Sequence, residues 1–297
     1  MKQTPFDPFA IFGTGGSDAD LVDSFQRSPS EAPRMSLRNS PIAVIYWAEN
    51  GGPIRTIIDG RKTRPTGFFP SIKGGFRAMP WDSFLEERIM QLADLSSRVT
   101  YLLAQPHRVE VNIRGNRGKP LVYFPDLLLR TDRSFVRDLQ AGLPFIEAAA
   151  VPRTTRVSEE LLETVIIEVK ADKDSRDDDE RYQTKLEFVE EVYRRRGFHF
   201  FKIRASKELE SNFIRAARLM DWRKAVVIDI HDERRCLDAF GQRHVMLYRR
   251  LVEALGGGNY GRAKVNGLHY RGLISIDMRK GFHGEAAVYL LTEESGR

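Results

Sequence analysis

The sequence predicts a mixed α/β protein, with a β-sheet flanked by helices and a smaller α+β unit towards the C-terminus. Two short runs rich in Val, Ile, Leu, Tyr and Phe, at 119–129 and 164–170, have the length and composition of strands. Apolar residues at helical spacing over 182–196 predict an amphipathic helix that ends at Gly197, followed by a strand at 198–203. Strands followed by a strand–helix–strand unit are typical of a mixed sheet covered by helices.

Composition limits the class of protein. The 297 residues suffice for two domains, and 41% hydrophobic with 30% charged residues is typical of a soluble globular chain. No apolar run approaches the ~20 residues of a membrane span, and the N-terminus lacks a signal-peptide core. Cys236 is the only cysteine, which excludes internal disulfides and cysteine zinc clusters, favours a passive role for that side chain and predicts a cytoplasmic protein. The net charge of +6 favours a polyanionic partner.

Three divisions of the chain follow from its local patterns. Residues 1–35 mix Pro, Gly, Ser and Asp without periodicity and predict a disordered leader. Residues 36–205 contain the predicted sheet, with further strands at 41–47, 99–103 and 107–113. The connection over 131–163 predicts an excursion on the surface. Residues 206–297 form the C-terminal unit.

A helix is predicted after Ser83, because Ser83 and Glu86 have capping-box spacing and apolar residues follow. The predicted apolar face consists of Phe84, Ile89, Leu92 and Leu95. Glu86 is explained by the capping box alone, or it is a carboxylate directed from the helix start towards a metal. Its neighbour Glu87 is an equal candidate on position alone.

Basic residues alternate with aromatic residues and glycines over 61–80, which predicts a loop that follows a phosphate backbone. The alternative is a solvated loop whose phenylalanines fix it to the core; we favour this alternative for Phe68 and Phe69 and leave it open for the charges. The candidate DNA-binding residues here are Arg61, Lys62, Arg64, Lys73 and Arg77.

The two predicted strands carry charges where buried strands ordinarily have none. Asp126 follows a proline, and Glu168 and Lys170 are two residues apart, so their side chains leave the same face. Carboxylate oxygens bind Mg²⁺, and a nearby ammonium stabilises negative charge in a transition state. This set suits metal-assisted phosphodiester cleavage. The alternative is ordinary turn chemistry and a solvated sheet face.

The last third of the chain predicts helices at 208–220, 242–255 and 261–271, and a short strand or helix at 225–230. Glycines at 256–258 end the second helix, and the third carries the basic residues Arg262 and Lys264. Two strands at 273–277 and 286–291 follow. A basic helix before a β-ribbon is the order of a winged helix, which binds DNA or protein.

The chain resembles the TnsA family, the endonuclease subunits of heteromeric transposases, over roughly residues 60–290. The resemblance is carried by five motifs in order: Phe-Pro-Ser-Ile-Lys at 69–73, Ser-Phe-Leu-Glu at 83–86, Val99 with Gln-Pro at 105–106, Phe-Pro-Asp at 124–126, and Ile-Glu-Val-Lys at 167–170. The last two complete a PD-(D/E)XK nuclease core.

The resemblance implies a restriction-endonuclease-like mixed sheet followed by a winged-helix domain. Glu86, Asp126, Glu168 and Lys170 would be catalytic. Asp126 and Glu168, with the Val169 carbonyl and Glu86 as a further candidate, would bind Mg²⁺, for which Mn²⁺ substitutes. The implied reaction is hydrolysis at the 5′ ends of a transposon, beside a TnsB-like DDE transposase that cuts the 3′ ends and a TnsC-like AAA+ regulator.

Two departures from the family pattern stand out. The connection between Asp126 and Glu168 is longer than the family's, and Glu168 stands where some members carry Gln. Two alternative functions remain open. One is a restriction or repair nuclease of this fold that acts alone, and the other is a non-catalytic winged-helix factor that binds DNA or protein.

Overall fold

A computed structural model describes residues 43–55, 65–112, 120–173, 178–204, 217, 220–221 and 223–292. The predicted leader and most of the predicted helix at 208–220 lie outside these residues. The described strands are β1 (Ala43–Trp47), β2 (Gly67–Ser71), β3 (Arg77–Trp81), β4 (Val99–Ala104), β5 (His107–Val111), β6 (Leu121–Tyr123), β7 (Leu127–Thr131), β8 (Glu163–Lys170), β9 (His199–Arg204), β10 (Val245–Leu247), β11 (Ile274–Ile276) and β12 (Ala287–Leu290). The described helices are α1 (Phe84–Leu95), α2 (Arg133–Gln140), α3 (Phe145–Ala150), α4 (Glu180–Arg195), α5 (Ile230–Phe240), α6 (Tyr248–Ala254) and α7 (Gly258–Tyr270), with a 3₁₀ turn at Glu159–Leu161.

The central sheet has the strand order β4-β7-β8-β9, in which only β8 and β9 are parallel. Alternate residues of its strands enter different cores: Leu127 packs in the cluster that contains α1, whereas Leu128 packs with α4. The α4 residues Leu186, Val189 and Tyr193 are buried against the sheet. The predicted mixed α/β class and the predicted amphipathic helix are therefore confirmed.

The apolar run at 119–129 is two strands in two sheets, and the prediction of one strand is wrong. β6 belongs to a second antiparallel sheet of order β1-β5-β6, and β7 belongs to the central sheet. Pro125 lies between them and has no N–H to continue a ladder of hydrogen bonds. Asp126 consequently lies at the junction of two sheets, directly before β7.

Residues 67–81 form the antiparallel hairpin β2–β3, which corrects the predicted loop. Phe69 is buried in the main core, as the favoured alternative predicts, but Phe68 is 60% exposed. Pro70 and Pro80 lie within the strands, where a two-stranded ribbon tolerates them because each strand has a free edge. These prolines conceal the strand pattern in the sequence.

The connection over 131–163 is packed against the protein, which corrects the predicted surface excursion. Helices α2 and α3 bury Phe135 and Phe145, whose rings meet edge to face at 5.6 Å. The buried Arg98 joins this region to the start of β4 through an ion pair of 2.7 Å with Asp138.

The C-terminal unit has the element order α5, β10, α6, α7, β11, β12, with a three-stranded antiparallel sheet of order β10-β12-β11. The predicted single helix at 242–255 is instead β10 followed by α6, because 245–247 pair with β12. Neither a strand nor a helix forms over 225–229, and α5, which the sequence pattern does not predict, begins after the Asp229 cap. Gly257 adopts φ +71 and ends α6 through a 2.8 Å hydrogen bond to the Val252 carbonyl.

This unit packs on the end of α1. His269 of α7 contacts the Leu95 carbonyl at 2.7 Å, and the hydroxyls of Ser275 and Ser97 are 2.7 Å apart. Within the described residues, no helix combines the length and apolar character needed to cross a membrane.

Candidate active site

Asp126 reaches across the junction between the sheets to the end of β8. Its Oδ2 accepts a 2.7 Å hydrogen bond from the Val169 N–H, where a backbone acceptor from β7 would otherwise stand. The last ladder pair here is Leu127 with Ile167. The side chain of Asp126 therefore supplies the hydrogen-bond acceptor at the point where the proline interrupts the ladder.

The same geometry gives the Val169 carbonyl no N–H donor at the residue opposite to it. Continuing the register by two residues places Pro125 opposite Val169. The N–H and C=O of one strand residue point to the same side, so this carbonyl points to the side on which Asp126 lies. Pro125 has no N–H to donate to it. The predicted contribution of the Val169 carbonyl to a metal site is thus compatible with the backbone.

Glu168 and Lys170 lie on one face of β8 and form a buried ion pair, with 3.0 Å between Oε1 and Nζ. Two tyrosine hydroxyls donate to the same carboxylate. Tyr123 of β6 contacts Oε2 at 2.5 Å, and Tyr182 of α4 contacts Oε1 at 2.6 Å. The Lys170 ammonium also donates to the Tyr182 oxygen. Three separate elements converge on this carboxylate.

Glu86 lies in the first turn of α1 and is only 7% exposed. It accepts hydrogen bonds from the Asp82 N–H at 2.9 Å and from the Ser83 hydroxyl at 3.0 Å, while its own N–H donates to Ser83 at 3.2 Å. The cap is thus confirmed, with Asp82 rather than Ser83 supplying the backbone N–H. Among the described residues, no hydrogen bond or ion pair joins Glu87 to the other site residues, whereas the charge of Glu86 acts on Asp126.

We call Glu86, Asp126, Glu168 and Lys170 the acid centre. Burial raises the pKa of Asp126 well above its usual range, and the charges of Glu168 and Glu86 raise it further. The Val169 N–H and the Lys170 ammonium oppose this rise. Burial also raises the pKa of Glu86. Three acids lie near one ammonium, so ionising all three would leave an excess of negative charge, which a bound cation would neutralise.

Mg²⁺ is commonly bound by one or two carboxylates together with waters and substrate phosphates. Among the described residues, no group of three or more His, Cys, Asp and Glu side chains is arranged to hold a metal ion. Asp126 and Glu168 nevertheless offer two carboxylates to the same region, beside the Val169 carbonyl. The donor set fits Mg²⁺ held partly by substrate, and the charge of Glu86 acts on Asp126.

The predicted DNA-binding residues have different surroundings. Arg61, Lys62 and Arg64 lie outside the described residues. Arg262 of α7 is exposed, and Arg77 of β3 donates to the Gly51 carbonyl at 2.9 Å.

Two of these predicted residues are used inside the protein instead. The Lys73 ammonium donates to the Ala93 carbonyl at 3.1 Å and to the Ser96 carbonyl, and burial lowers its pKa to about 7. Lys264 is 6% exposed and pairs with Asp232. Both ammonium groups are thus held by contacts within the protein, and whether either residue binds DNA stays a prediction.

The sequence patterns identify neither Tyr123 and Tyr182, which contact the acid centre, nor the cations beside it. Lys185 lies over the Tyr123 ring at 5.6 Å, and Arg55 lies over the Phe124 ring at 5.4 Å. The amphipathic pattern gives an indication only for Tyr182, because this residue lies in the first turn of α4, one turn before the buried Leu186. Tyr123 gives none, because a tyrosine in an apolar strand is ordinarily a core residue.

Neither a protein-family model nor a curated protein matches this chain.

Proposed function

We propose that the protein is a Mg²⁺-dependent DNA endonuclease that hydrolyses phosphodiesters as a subunit of a transposase complex. The observation that carries this proposal is the acid centre: two carboxylates at the ends of neighbouring strands, a third from a helix start, and one buried ammonium. The raised pKa of Asp126 supports it, because perturbed carboxyls cluster at functional sites.

Each residue has a chemical role in the proposed reaction. Mg²⁺, when bound, would activate a water and neutralise the scissile phosphate. Asp126, Glu168 and the Val169 carbonyl would hold it. Lys170 would orient the attacking water or stabilise the additional negative charge that develops on the phosphate. Glu86 would add negative charge near Asp126 and hold the start of α1 beside the substrate.

The fold supports the finer proposal of a restriction-endonuclease-like core. The central sheet lies between α1 and α4, with the candidate catalytic residues on the strands that meet at Asp126. For the C-terminal unit, α6 and α7 followed by the paired strands β11 and β12 support a winged-helix domain. We propose that this unit contacts DNA or a partner, with Arg262 as one of its exposed cations.

The transposase setting comes from the resemblance to the TnsA family. It supports cleavage at the 5′ ends of a transposon in the cytoplasm, with a TnsB-like DDE transposase and a TnsC-like AAA+ regulator as partners. Cys236 has no part in this chemistry, since it is buried and burial raises its pKa to about 12.

The test is cleavage of supercoiled plasmid by the purified protein with Mg²⁺ or Mn²⁺. Asp126→Asn and Lys170→Ala serve as site variants, and Glu191→Gln, which removes exposed ion pairs with Arg194 and Arg195 at the end of α4, serves as a matched control. We expect nicking that both site variants lose and the control retains. A wild-type protein that is inactive alone is then assayed with the neighbouring transposase and its end DNA.

The outcomes separate the alternatives. Cleavage without partners favours a nuclease that acts alone, and cleavage only with the transposase favours the subunit. If Asp126→Asn supports transposition as well as the wild type does, the proposed catalytic role is wrong and the protein is a binding factor.

A further inference from the structure

The Glu168 carboxylate is held by more groups than its ion pair with Lys170 requires. An ionised carboxylate has about four lone-pair directions, two on each oxygen. Oε1 accepts from Tyr182 at 2.6 Å and contacts the Lys170 ammonium at 3.0 Å, which uses both of its directions. Oε2 accepts from Tyr123 at 2.5 Å. Within the described part of the chain no second contact to Oε2 is found, so one direction remains.

The two tyrosines come from different parts of the fold. Tyr123 ends β6 in the second sheet, is 3% exposed, and meets the Phe200 ring edge to face at 6.4 Å. Tyr182 lies in the first turn of α4, and its ring lies 4.1 Å from the Lys170 ammonium. The carboxylate is thus fixed from two directions, and its rotation would break a buried hydrogen bond on either side.

We propose that Tyr123 and Tyr182 are positioning residues that give the two oxygens of the Glu168 carboxylate different functions. Tyr182 fixes Oε1 together with the Lys170 ammonium, and Tyr123 fixes Oε2 so that its remaining lone pair binds the divalent cation. This inference rests on the proposed function for its cleavage measurements only. Its cation-binding measurements are independent of DNA.

The two hydroxyls should have different effects when removed. Tyr123→Phe takes away the support of the cation-binding oxygen and should weaken cation binding, by roughly 10-fold or more, as for other hydrogen-bond partners of metal ligands. Tyr182→Phe removes one of the hydrogen-bond partners of the Lys170 ammonium and should lower kcat, with a smaller effect on cation binding. Phenylalanine keeps each ring and its packing.

Terbium is the cation probe, because Tb³⁺ prefers oxygen ligands as Mg²⁺ does and emits when a nearby tyrosine is excited. Tb³⁺ is titrated into the full chain and its four variants: Tyr123→Phe, Tyr182→Phe, Glu168→Gln and Tyr248→Phe. Tyr248 is the matched control, since it is a buried tyrosine whose hydroxyl bonds Asn266 at 3.1 Å in the C-terminal unit. Circular dichroism and thermal unfolding verify that each variant is folded.

We expect saturable emission that Glu168→Gln abolishes and Tyr248→Phe leaves unchanged. Tyr123→Phe should raise the Tb³⁺ concentration at half-saturation, and Tyr182→Phe should change it less. In Mg²⁺-dependent cleavage, Tyr123→Phe should recover its kcat at high Mg²⁺. Tyr182→Phe should keep a reduced kcat at saturating Mg²⁺, which a merely structural role would not produce.

Several results would overturn the inference. One is Tb³⁺ binding that does not depend on Glu168, or no Tb³⁺ binding at all. Another is a pair of phenylalanine variants that both behave like Tyr248→Phe, or an exchanged pattern in which Tyr182→Phe alone weakens binding. If the Tb³⁺ results are as expected but no DNA is cut even with partner proteins, the proposed function fails and the assignment of the cation-binding oxygen stands. If Tyr123→Phe does not fold, Tb³⁺ binding by Tyr182→Phe and Glu168→Gln still distinguishes these results, because Tyr182 is partly exposed.

Discussion

Two buried groups of charged residues in this protein differ in their balance of acids and bases. In the acid centre, three carboxylates face one ammonium. In the second group, which we call the Asp94 cluster, Asp94 and Asp221 face Lys73 and Lys224. The Lys224 ammonium is 3.2 Å from Asp94 and 2.6 Å from Asp221. The acids and bases of the Asp94 cluster are equal in number, whereas those of the acid centre are not.

The hydrogen bonds differ in the same way. Both oxygens of Asp94 are occupied: Oδ1 accepts from the Ser71 hydroxyl at 2.7 Å and the Lys73 N–H at 3.0 Å, and Oδ2 accepts from the Ile72 N–H at 3.3 Å. A buried charge that is balanced and saturated holds elements together, here the hairpin β2–β3, α1 and the segment before α5. A buried group with excess charge of one sign is a candidate for ligand binding.

The largest effect on stability should come from Asp94→Ala. This change leaves the Lys224 ammonium, whose side chain is 5% exposed, beside Asp221 alone and removes three further hydrogen bonds. Breaking a buried ion pair from one side costs about 3–5 kcal/mol. Denaturant unfolding measures the loss in unfolding free energy. Glu285→Ala, which removes an exposed ion pair with Arg249, is the control and should cost at most about 1 kcal/mol.

The comparison breaks if Asp94→Ala costs no more than Glu285→Ala. Balance and saturation would then not distinguish a structural cluster from a candidate site.

The acid centre should instead respond in activity. Lys170→Ala should lower kcat for cleavage by roughly 10²–10³, because it removes a group that stabilises charge in the transition state. Arg195→Ala, in an exposed ion pair with Glu191 at the end of α4, is the control. Single-turnover cleavage at saturating Mg²⁺ gives the chemical rate. A near-normal rate in Lys170→Ala would mean that the ammonium is structural, like Lys224.

Local patterns in the sequence predict much of this fold. The strand at 164–170, the face shared by Glu168 and Lys170, and the helix from 182 follow from periods of 2 and 3.6 residues. Ser83 predicts the start of α1 because capping is a local interaction. The predicted apolar face of α1 is correct for Ile89, which is buried, but wrong for Phe84, which is 55% exposed. These features depend on neighbours in the chain, so the sequence contains them.

Contacts between distant residues were not predictable in this way. Lys73 and Lys264 look like surface cations in the sequence, and only the fold shows that each meets backbone carbonyls or an acid inside the protein. The hydroxyl of Tyr123 meets Glu168, 45 residues away. Short sequence patterns also mispredict segments whose structure depends on pairing with a distant strand. The segment β10 is a strand because it pairs with β12.

Buried histidines predict an acid-sensitive fold. Burial lowers the pKa of His107 to about 3 and that of His269 to about 4. In the unfolded chain both titrate near 6.5, so the unfolded state binds protons first as the pH falls. The unfolding free energy should therefore decrease from pH 6.5 downward, by ~3 kcal/mol for each histidine at pH 4. Asp126 has the opposite sign, since a raised carboxyl pKa favours the folded state on acidification.

Unfolding curves between pH 4 and pH 7 measure this dependence. His107→Gln should flatten the curve, and His231→Gln, at an exposed position of α5, should leave it unchanged. Equal slopes in the wild type and His107→Gln would show that His107 is protonated in the folded state.

Ser71→Ala should have a smaller effect on stability than Asp94→Ala. The Ser71 hydroxyl donates to Asp94 at 2.7 Å and accepts from the Gly74 N–H at 2.9 Å. A hydrogen bond to a charged group contributes about 1.5–3 kcal/mol, compared with about 0.5–1.5 kcal/mol for one between neutral groups. Ser275→Ala is the neutral comparison, because this buried hydroxyl contacts Ser97 at 2.7 Å and accepts from the Arg153 N–H at 2.9 Å. Denaturant unfolding should show the larger loss for Ser71→Ala.

A double-variant cycle then decides whether Asp94 is the cause. In an Asp94→Ala background, Ser71→Ala should lose most of its cost, because the charged acceptor is already absent. A cost that stays the same would assign the effect to the Gly74 turn instead. The Asp94 cluster would then be a set of independent contacts, and its balance of charge would not explain why the hairpin, α1 and the C-terminal unit stay together.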